Sequence, residues 1–256
     1  MSEICVIPTF QREELLFLCL EAIRREDTTI PIHVFSDRGY SSADLETTCK
    51  KFNAFLKIQH DTQGYGNSWN VIEALKDGVK AGHSIVHLIE DDVILHRGYF
   101  EWAKEELAKG RACVCARIAA SRIENWYESP CASWNAECLR QALALVPQGY
   151  FADTREQMQI LLDAAFPKSR YKRGGCEQDG LLLRCVEHFG WKTKFPPKPL
   201  ATHLGAWGYN RPSNKPPTGT FEERIEFTRA LLKDKRKRVE LFGQSITEKE
   251  LEGANQ

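Results

Sequence analysis

Three consecutive carboxylates, Glu90-Asp91-Asp92, stand directly behind the apolar run Ile85–Ile89. Like charges a few ångströms apart raise one another's pKa values unless a cation compensates them. A hard divalent ion with oxygen ligands, Mn²⁺ or Mg²⁺, is the matching partner. An acidic triplet taken alone is more often a helix cap or a solvated stretch; its place at the exit of an apolar strand is what lifts this one. A second acidic pair, Glu177 and Asp179, sits in Cys176-Glu177-Gln178-Asp179-Gly180. It has the residue types either to cap a helix N-terminus or to supply a general base for an attacking hydroxyl. His203, in Thr202-His203-Leu204-Gly205, offers a further ligand nitrogen, with a purely structural histidine as the equal alternative. Nearby Arg211 has the chemistry to pair with a phosphate, and Trp207 and Tyr209 to stack on a sugar or base or simply to pack an ordered loop.

The elements that must place these groups are legible in part. Ile4–Ile7 is a short apolar run ended by Pro8, and Arg12 to Arg25 carries apolar residues at helical spacing. The alternation resumes with a strand over 32–35, a helix after Ser41 or Ser42, a weak strand at 56–58, a helix from Asn67 to Lys80 with Asn67 as its N-cap, and the strand 84–89. Repeated β-α units imply an α/β fold, Rossmann-like, with a mostly parallel central sheet flanked by helices. Ligands bind beyond the carboxyl ends of such strands, which selects Pro8-Thr9-Phe10, Ser36-Asp37-Arg38 and Glu90-Asp91-Asp92. Further on, the pattern gives a helix at 99–108, a strand at 112–116, a loop containing Trp126, Tyr127, Pro130 and Trp134, and a helix at 138–145. Next come a helix over 180–189, with Arg184 as a surface charge if the acidic pair only caps it, a Pro-rich segment 212–220 and a charged helix 221–241.

The 256 residues are 42% hydrophobic, enough for a sizeable core. Lys plus Arg and Asp plus Glu number 35 each, so no global field recruits nucleic acid or a membrane surface. The basic runs 170–173 and 233–238 could follow a phosphate backbone, although such runs are commonly solvated faces. Nine cysteines, an odd number without zinc-type pairing, point to reduced thiols. No stretch has the length and apolarity of a membrane span or a signal segment, and the expected location is cytoplasmic.

Ile89-Glu90-Asp91-Asp92-Val93 with Tyr99-Phe100-Glu101-Trp102 downstream resembles the DxD-type motif and succeeding helix of GT-A nucleotide-sugar glycosyltransferases, closest in pattern to the N-acetylglucosaminyltransferase I group. Val6–Arg12 resembles the first nucleotide-binding turn of that superfamily, and Val34-Phe35-Ser36-Asp37 the second. The resemblance implies Asp92 as the metal ligand, Glu90 and Asp91 on the donor sugar and ribose, Asp37 accepting from the base, and Pro8, Thr9 and Arg12 at the nucleotide. It further implies donor contacts from Asn67 and Arg211, Trp134 under the donor sugar unless it is ordinary core, His203 as a second metal ligand, and Asp179 ahead of Glu177 as the base.

The implied activity is transfer of a sugar from a nucleoside-diphosphate donor, a UDP-sugar, to an acceptor hydroxyl on a glycan, a small molecule or a hydroxymethylated DNA base. Residues 1–120 would form the nucleotide-sugar half, 121–211 the acceptor and catalytic half, and 212–256 a Pro-rich segment with a terminal helix. Gln178 between the two acids departs from the group and leaves inversion or retention open. A nucleotidyltransferase would carry a glycine-rich loop after its first strand, and residues 8–12 contain no glycine. A non-catalytic sugar-nucleotide or glycan-binding module is the remaining alternative, and retention of both Asp92 and Asp179 argues against it.

Overall fold

The computed structural model describes residues 1–61, 67–116, 127, 130–152, 154–171, 175, 177–204 and 217–233. The first part alternates strand and helix: β1 (Glu3–Thr9), α1 (Glu13–Glu26), β2 (Ile32–Ser36), α2 (Ala43–Lys51), β3 (Phe55–Ile58), α3 (Ser68–Lys80) and β4 (Ile85–Ile89). Side chains alternate across a strand, and β1 divides accordingly. Cys5 and Ile7 join a core with Leu16, Leu20 and Leu45 of α1 and α2, while Ile4 and Val6 join the opposite core with Val71, Leu75 and Val86. Both faces are covered, which is why the strand reads as a continuous apolar run. Gly78 lets α3 lie close to the sheet, since a Cβ there would stand 2.7 Å from a Val86 methyl.

The second part comprises β5 (Val93–Leu95), α4 (Tyr99–Ala108), β6 (Cys113–Cys115), β7 (Cys131–Asn135), α5 (Ala136–Ala144), α6 (Arg155–Ala165), α7 (Gln178–His188), β8 (Thr193–Lys194), β9 (Ala201–His203) and α8 (Phe221–Lys233). Seven strands form one sheet in the order β3-β2-β1-β4-β7-β6-β8. β1, β2, β3 and β4 are mutually parallel where they pair, and β7 runs antiparallel to both β4 and β6. β5 and β9 pair antiparallel in a separate two-stranded ribbon. The mostly parallel α/β architecture expected from the alternation is the one observed.

Three local expectations are corrected. Cys131–Asn135, expected as loop, is an inner strand of the sheet. Its Trp134 is fully buried, with ring centroids of Tyr127 and Trp191 at 5.4 and 6.4 Å, so it has no surface left for a donor sugar. Arg184, a surface charge in the capping alternative, is instead fully buried and donates to the carbonyls of Gly175 and Gly180 at 2.9 and 3.2 Å and to Asp163 at 3.3 Å. α6 is a helix that the sequence pattern does not announce. The eight described cysteines are free thiols, and all but Cys138 are buried. Among the described residues no helix is long and apolar enough to cross a membrane. Arg211, Trp207, Tyr209, Trp126 and the boundaries placed near 120 and 211 lie outside the described residues.

Candidate active site

Parallel register brings the exits of β1 and β2 level, pairing Pro8 with Phe35 and Thr9 with Ser36, and the Asp37 N–H donates to the Thr9 carbonyl at 3.1 Å. β4 ends beside them. The Glu90 N–H donates to the Pro130 carbonyl at 2.8 Å and the Val93 N–H back to the Glu90 carbonyl at 3.1 Å. This tight turn gathers the three carboxylates at the strand exit but gives them different partners.

Asp91 is directed toward β1 and is fully buried. It accepts from the Thr9 hydroxyl at 2.6 Å and from Arg12 Nε at 3.2 Å, and an Arg12 Nη2 completes the pairing on its other oxygen. Asp92 places Oδ2 against Arg12 Nη1 at 2.9 Å and His203 Nε2 at 3.2 Å. Its second oxygen, Oδ1, is buried without a hydrogen-bond partner.

His203 arrives through the β5–β9 ribbon, in which Val93 pairs with His203, Ile94 with Thr202 and Leu95 with Ala201. The Leu204 N–H donates to the Asp92 carbonyl at 2.8 Å. His96 fastens the other end of the ribbon. A carbonyl only accepts, so its Nδ1–H donates to the Pro199 carbonyl at 3.1 Å and its Nε2 accepts from the Thr202 hydroxyl at 2.8 Å. As a result, one carboxylate oxygen of Glu90, one of Asp92 and a ring nitrogen of His203 all lie within 4.8 Å of one another. Two carboxylates, one of them with an orphaned buried oxygen, and an imidazole form a donor set suited to Mn²⁺ or Mg²⁺.

The electrostatics carry the same surplus of negative charge. Burial pushes Glu90 up to about 7, helped by the neighbouring charges of Asp92 and Asp179 and opposed by His203 and Arg12. Burial likewise raises Asp91 to about 7, against the opposing pull of Arg12 and the Thr9 hydroxyl. Asp92 is also buried, but Arg12 and His203 overcome that and hold it well below the usual carboxylate range. Burial alone would lower His203; the charge and hydrogen bond of Asp92 reverse the effect and hold it at about 9. Such opposed shifts in adjacent groups are a mark of functional sites.

Asp179 lies in the first turn of α7, near enough to the acidic turn for its charge to raise Glu90 and Tyr127. Glu177, at the N-cap of α7, makes no capping hydrogen bond with its side chain and pairs instead with Arg155 at 2.7 Å. Gln178 is buried: its carbonyl oxygen accepts from the Ser68 hydroxyl at 2.8 Å, and its backbone N–H donates to that hydroxyl at 3.3 Å. Asn67 does not cap α3. Its backbone is already helical, no side-chain capping bond forms, and its Oδ1 is buried without a partner. Asp37 is buried at the exit of β2 and accepts from the Arg38 N–H at 2.9 Å. Pro8 is buried within β1.

The motif assigns Glu90 to the donor alone, whereas the fold also places it among the cation-competent groups. The Thr9–Asp91–Arg12 network has no signal in the sequence, because no local pattern links residues some 80 positions apart.

No protein-family model matches this chain, and no curated protein sequence matches it. Solved structures do. A mannosyltransferase, PcManGT from Pyrobaculum calidifontis, in complex with GDP-Man and Mn²⁺, superposes with a TM-score of 0.54 at 14% identity, over 81% of this chain and 58% of that one. S. aureus TarS in complex with UDP-GlcNAc gives a TM-score of 0.55 at 13% identity, over 97% of this chain and 68% of that one. The fold is GT-A. A third GT-A structure, the galactosyltransferase LgtC with donor and acceptor sugar analogues, gives 0.52 at 10% identity over 90% of this chain and 96% of that one. The chain spans 58% of the length of the mannosyltransferase and 60% of another TarS structure. Likeness to the N-acetylglucosaminyltransferase I group within the GT-A fold is carried by the sequence motif alone.

Proposed function

We propose that this chain is a divalent-cation-dependent glycosyltransferase that moves a sugar from a nucleoside-diphosphate sugar, a UDP-sugar by the motif, to an acceptor hydroxyl. One observation carries the reading: Glu90, Asp92 and His203 converge at the exit of β4 with an Asp92 oxygen unpartnered; the charge of Asp179, in the first turn of α7, reaches Glu90. Support comes from the GT-A fold, in which the mannosyltransferase holds GDP-Man and Mn²⁺ and TarS holds UDP-GlcNAc. Asp92, His203 and Glu90 would hold Mn²⁺ or Mg²⁺. The bound cation would supply positive charge to the departing diphosphate.

The chain's own residues then divide the work. Asp37, at the exit of β2, would accept from the nucleotide base, and Pro8 and Thr9, at the exit of β1, would lie against the nucleotide. Asp179 takes the proton of the acceptor hydroxyl as that oxygen attacks the anomeric carbon, and the nucleoside diphosphate leaves with the electron pair of its bond to the sugar. The product is inverted. Gln178 is tied to Ser68 and Glu177 to Arg155, which supports Asp179 as the reacting side chain. The acceptor is a glycan, a small molecule or a hydroxymethylated DNA base.

The test is thermal unfolding with UDP, GDP and their sugars, with and without Mn²⁺, together with product analysis for the anomer formed. A nucleotide shift that requires Mn²⁺ and vanishes in Asp92→Ala is expected, with transfer reduced by about 1,000-fold or more in that variant. No Mn²⁺-dependent shift with any nucleoside diphosphate sinks the reading.

A further inference from the structure

We infer that Arg12 is a positioning residue that orients the carboxylates of the cation site, and that holding the diphosphate is not its role. The inference rests on the cation-site reading proposed above. All three guanidinium nitrogens are directed at carboxylates: Nε and Nη2 at Asp91, and Nη1 at Asp92 at 2.9 Å. Asp91 is fully buried between this fork and the Thr9 hydroxyl, so it serves as an anchor for Arg12, and the ribose contact the motif suggested has no exposed oxygen to use.

The consequence reaches the metal ligand directly. Arg12 and His203 both hold Oδ2 of Asp92, which fixes the carboxylate plane and leaves Oδ1 as the buried oxygen with no partner. When His203 turns to a cation, Arg12 alone keeps that plane. A planar fork can bridge two carboxylates at once; the compact ammonium of lysine cannot.

The backbone is shaped to deliver this side chain. Gln11 has φ of +55°, a left-handed conformation that a side chain other than glycine's adopts at a cost. It turns the chain between β1 and α1, and Arg12 then opens the helix, its carbonyl accepting from the N–H groups of Leu15 and Leu16 at 3.1 and 2.9 Å. Strain held one residue before a residue that joins two buried aspartates is consistent with selection for where the guanidinium points.

The experiment measures Mn²⁺ binding to the full chain by electron paramagnetic resonance with no nucleotide present. Arg12→Lys keeps the charge and removes the fork, and is expected to weaken Mn²⁺ by about tenfold or more, as loss of a partner to a ligand does. If Arg12→Lys binds Mn²⁺ as the wild type does and loses only the further stabilisation by a nucleoside diphosphate, Arg12 is a phosphate ligand and the inference is overturned. A wild type that ignores Mn²⁺ overturns the cation reading instead. Thermal unfolding of Arg12→Lys, Asp91→Asn and the double variant then decides the clamp on its own. A double variant that melts no lower than the worse single variant supports it, and additive losses overturn it.

Discussion

Midway along β4, the fully buried His87 sits in a chain of hydrogen bonds, and three residues later the same strand runs out into Glu90-Asp91-Asp92. At His87 the polar groups are matched one for one. Glu3 carries a lowered pKa: burial opposes the shift, but hydrogen bonds from His87 and Lys104 prevail, so it accepts from His87 Nε2–H at 3.1 Å. Nδ1 then accepts from the Ser133 hydroxyl at 2.6 Å, and Ser133 accepts from the Tyr99 hydroxyl at 2.7 Å. No polar side-chain atom of His87, Ser133 or Tyr99 is buried without a partner, and burial holds His87 below its ordinary value. At the strand exit the matching fails by design: three carboxylates face one arginine and one histidine, an oxygen of Asp92 is orphaned, and His203 is raised to about 9. A saturated buried network specifies the fold, whereas a deliberately unsaturated one waits for a ligand.

The comparison is broken most severely by Asp179→Asn. If the acidic end serves reaction and not folding, transfer falls by about 10² to 10⁴-fold, the range a positioned base contributes, while Mn²⁺-dependent nucleotide stabilisation and the melting temperature of the free protein change little. Steady-state kinetics beside thermal unfolding reads both, and a variant with full transfer activity removes Asp179 as base.

Ser133→Ala should do the converse. It leaves a His87 nitrogen buried without a partner and reduces the Tyr99 hydroxyl to its bond with Cys131, at a cost of about 1–3 kcal/mol in denaturant unfolding, with Mn²⁺ affinity of the folded protein retained.

A smaller effect of opposite sign is expected for Glu90→Gln. The folded-state pKa of Glu90, about 7, lies above the ordinary 4.5, so above pH 7 the fold is destabilised by keeping this group charged. The substitution should stabilise the metal-free protein at pH 8 by about 1–2 kcal/mol and abolish its response to Mn²⁺. Destabilisation would mean that the cluster is a structural ion network after all.

The smallest effect is a slope. His87 is lowered from 6.5 in the fold, so as the pH drops through 6.5 the unfolded chain takes up a proton that the folded chain refuses, and stability falls. Wild type measured against His87→Gln should lose at most about 1.4 kcal/mol per pH unit going down from pH 6.5, the limit for one proton. Parallel curves would show that His87 is not neutral in the fold.

Where the sequence is readable, it is so because strand exits are local events. Ile4–Ile7 is a continuous apolar run and Ile85–Ile89 one interrupted only by His87, and the parallel sheet they imply places the residues at their carboxyl ends. Asp92, Asp37 and Thr9 are found in that way. β7 is hidden because Cys-Ala-Ser-Trp-Asn has no clean alternation, being buried on both faces with polar Ser133 turned to His87. Arg184 looks like a surface charge because a lone arginine usually is one, although its setting in the apolar run Gly180–Val186 is a usable sign of burial. The role of Arg12 is out of reach, since it depends on partners brought together only by the closed sheet.

The β5–β9 ribbon gives the site a fidelity requirement of its own. Only three residue pairs hold it, and in a β-ladder a slip of one residue turns every side chain to the opposite face. Thr202 or Leu204 opposite Val93 would leave the His203 imidazole pointing away from Asp92. The His96 ring, bonded to Pro199 and Thr202 at once across a sequence gap of more than a hundred residues, acts as a register pin, so a residue that touches no candidate ligand helps decide whether the cation site exists at all.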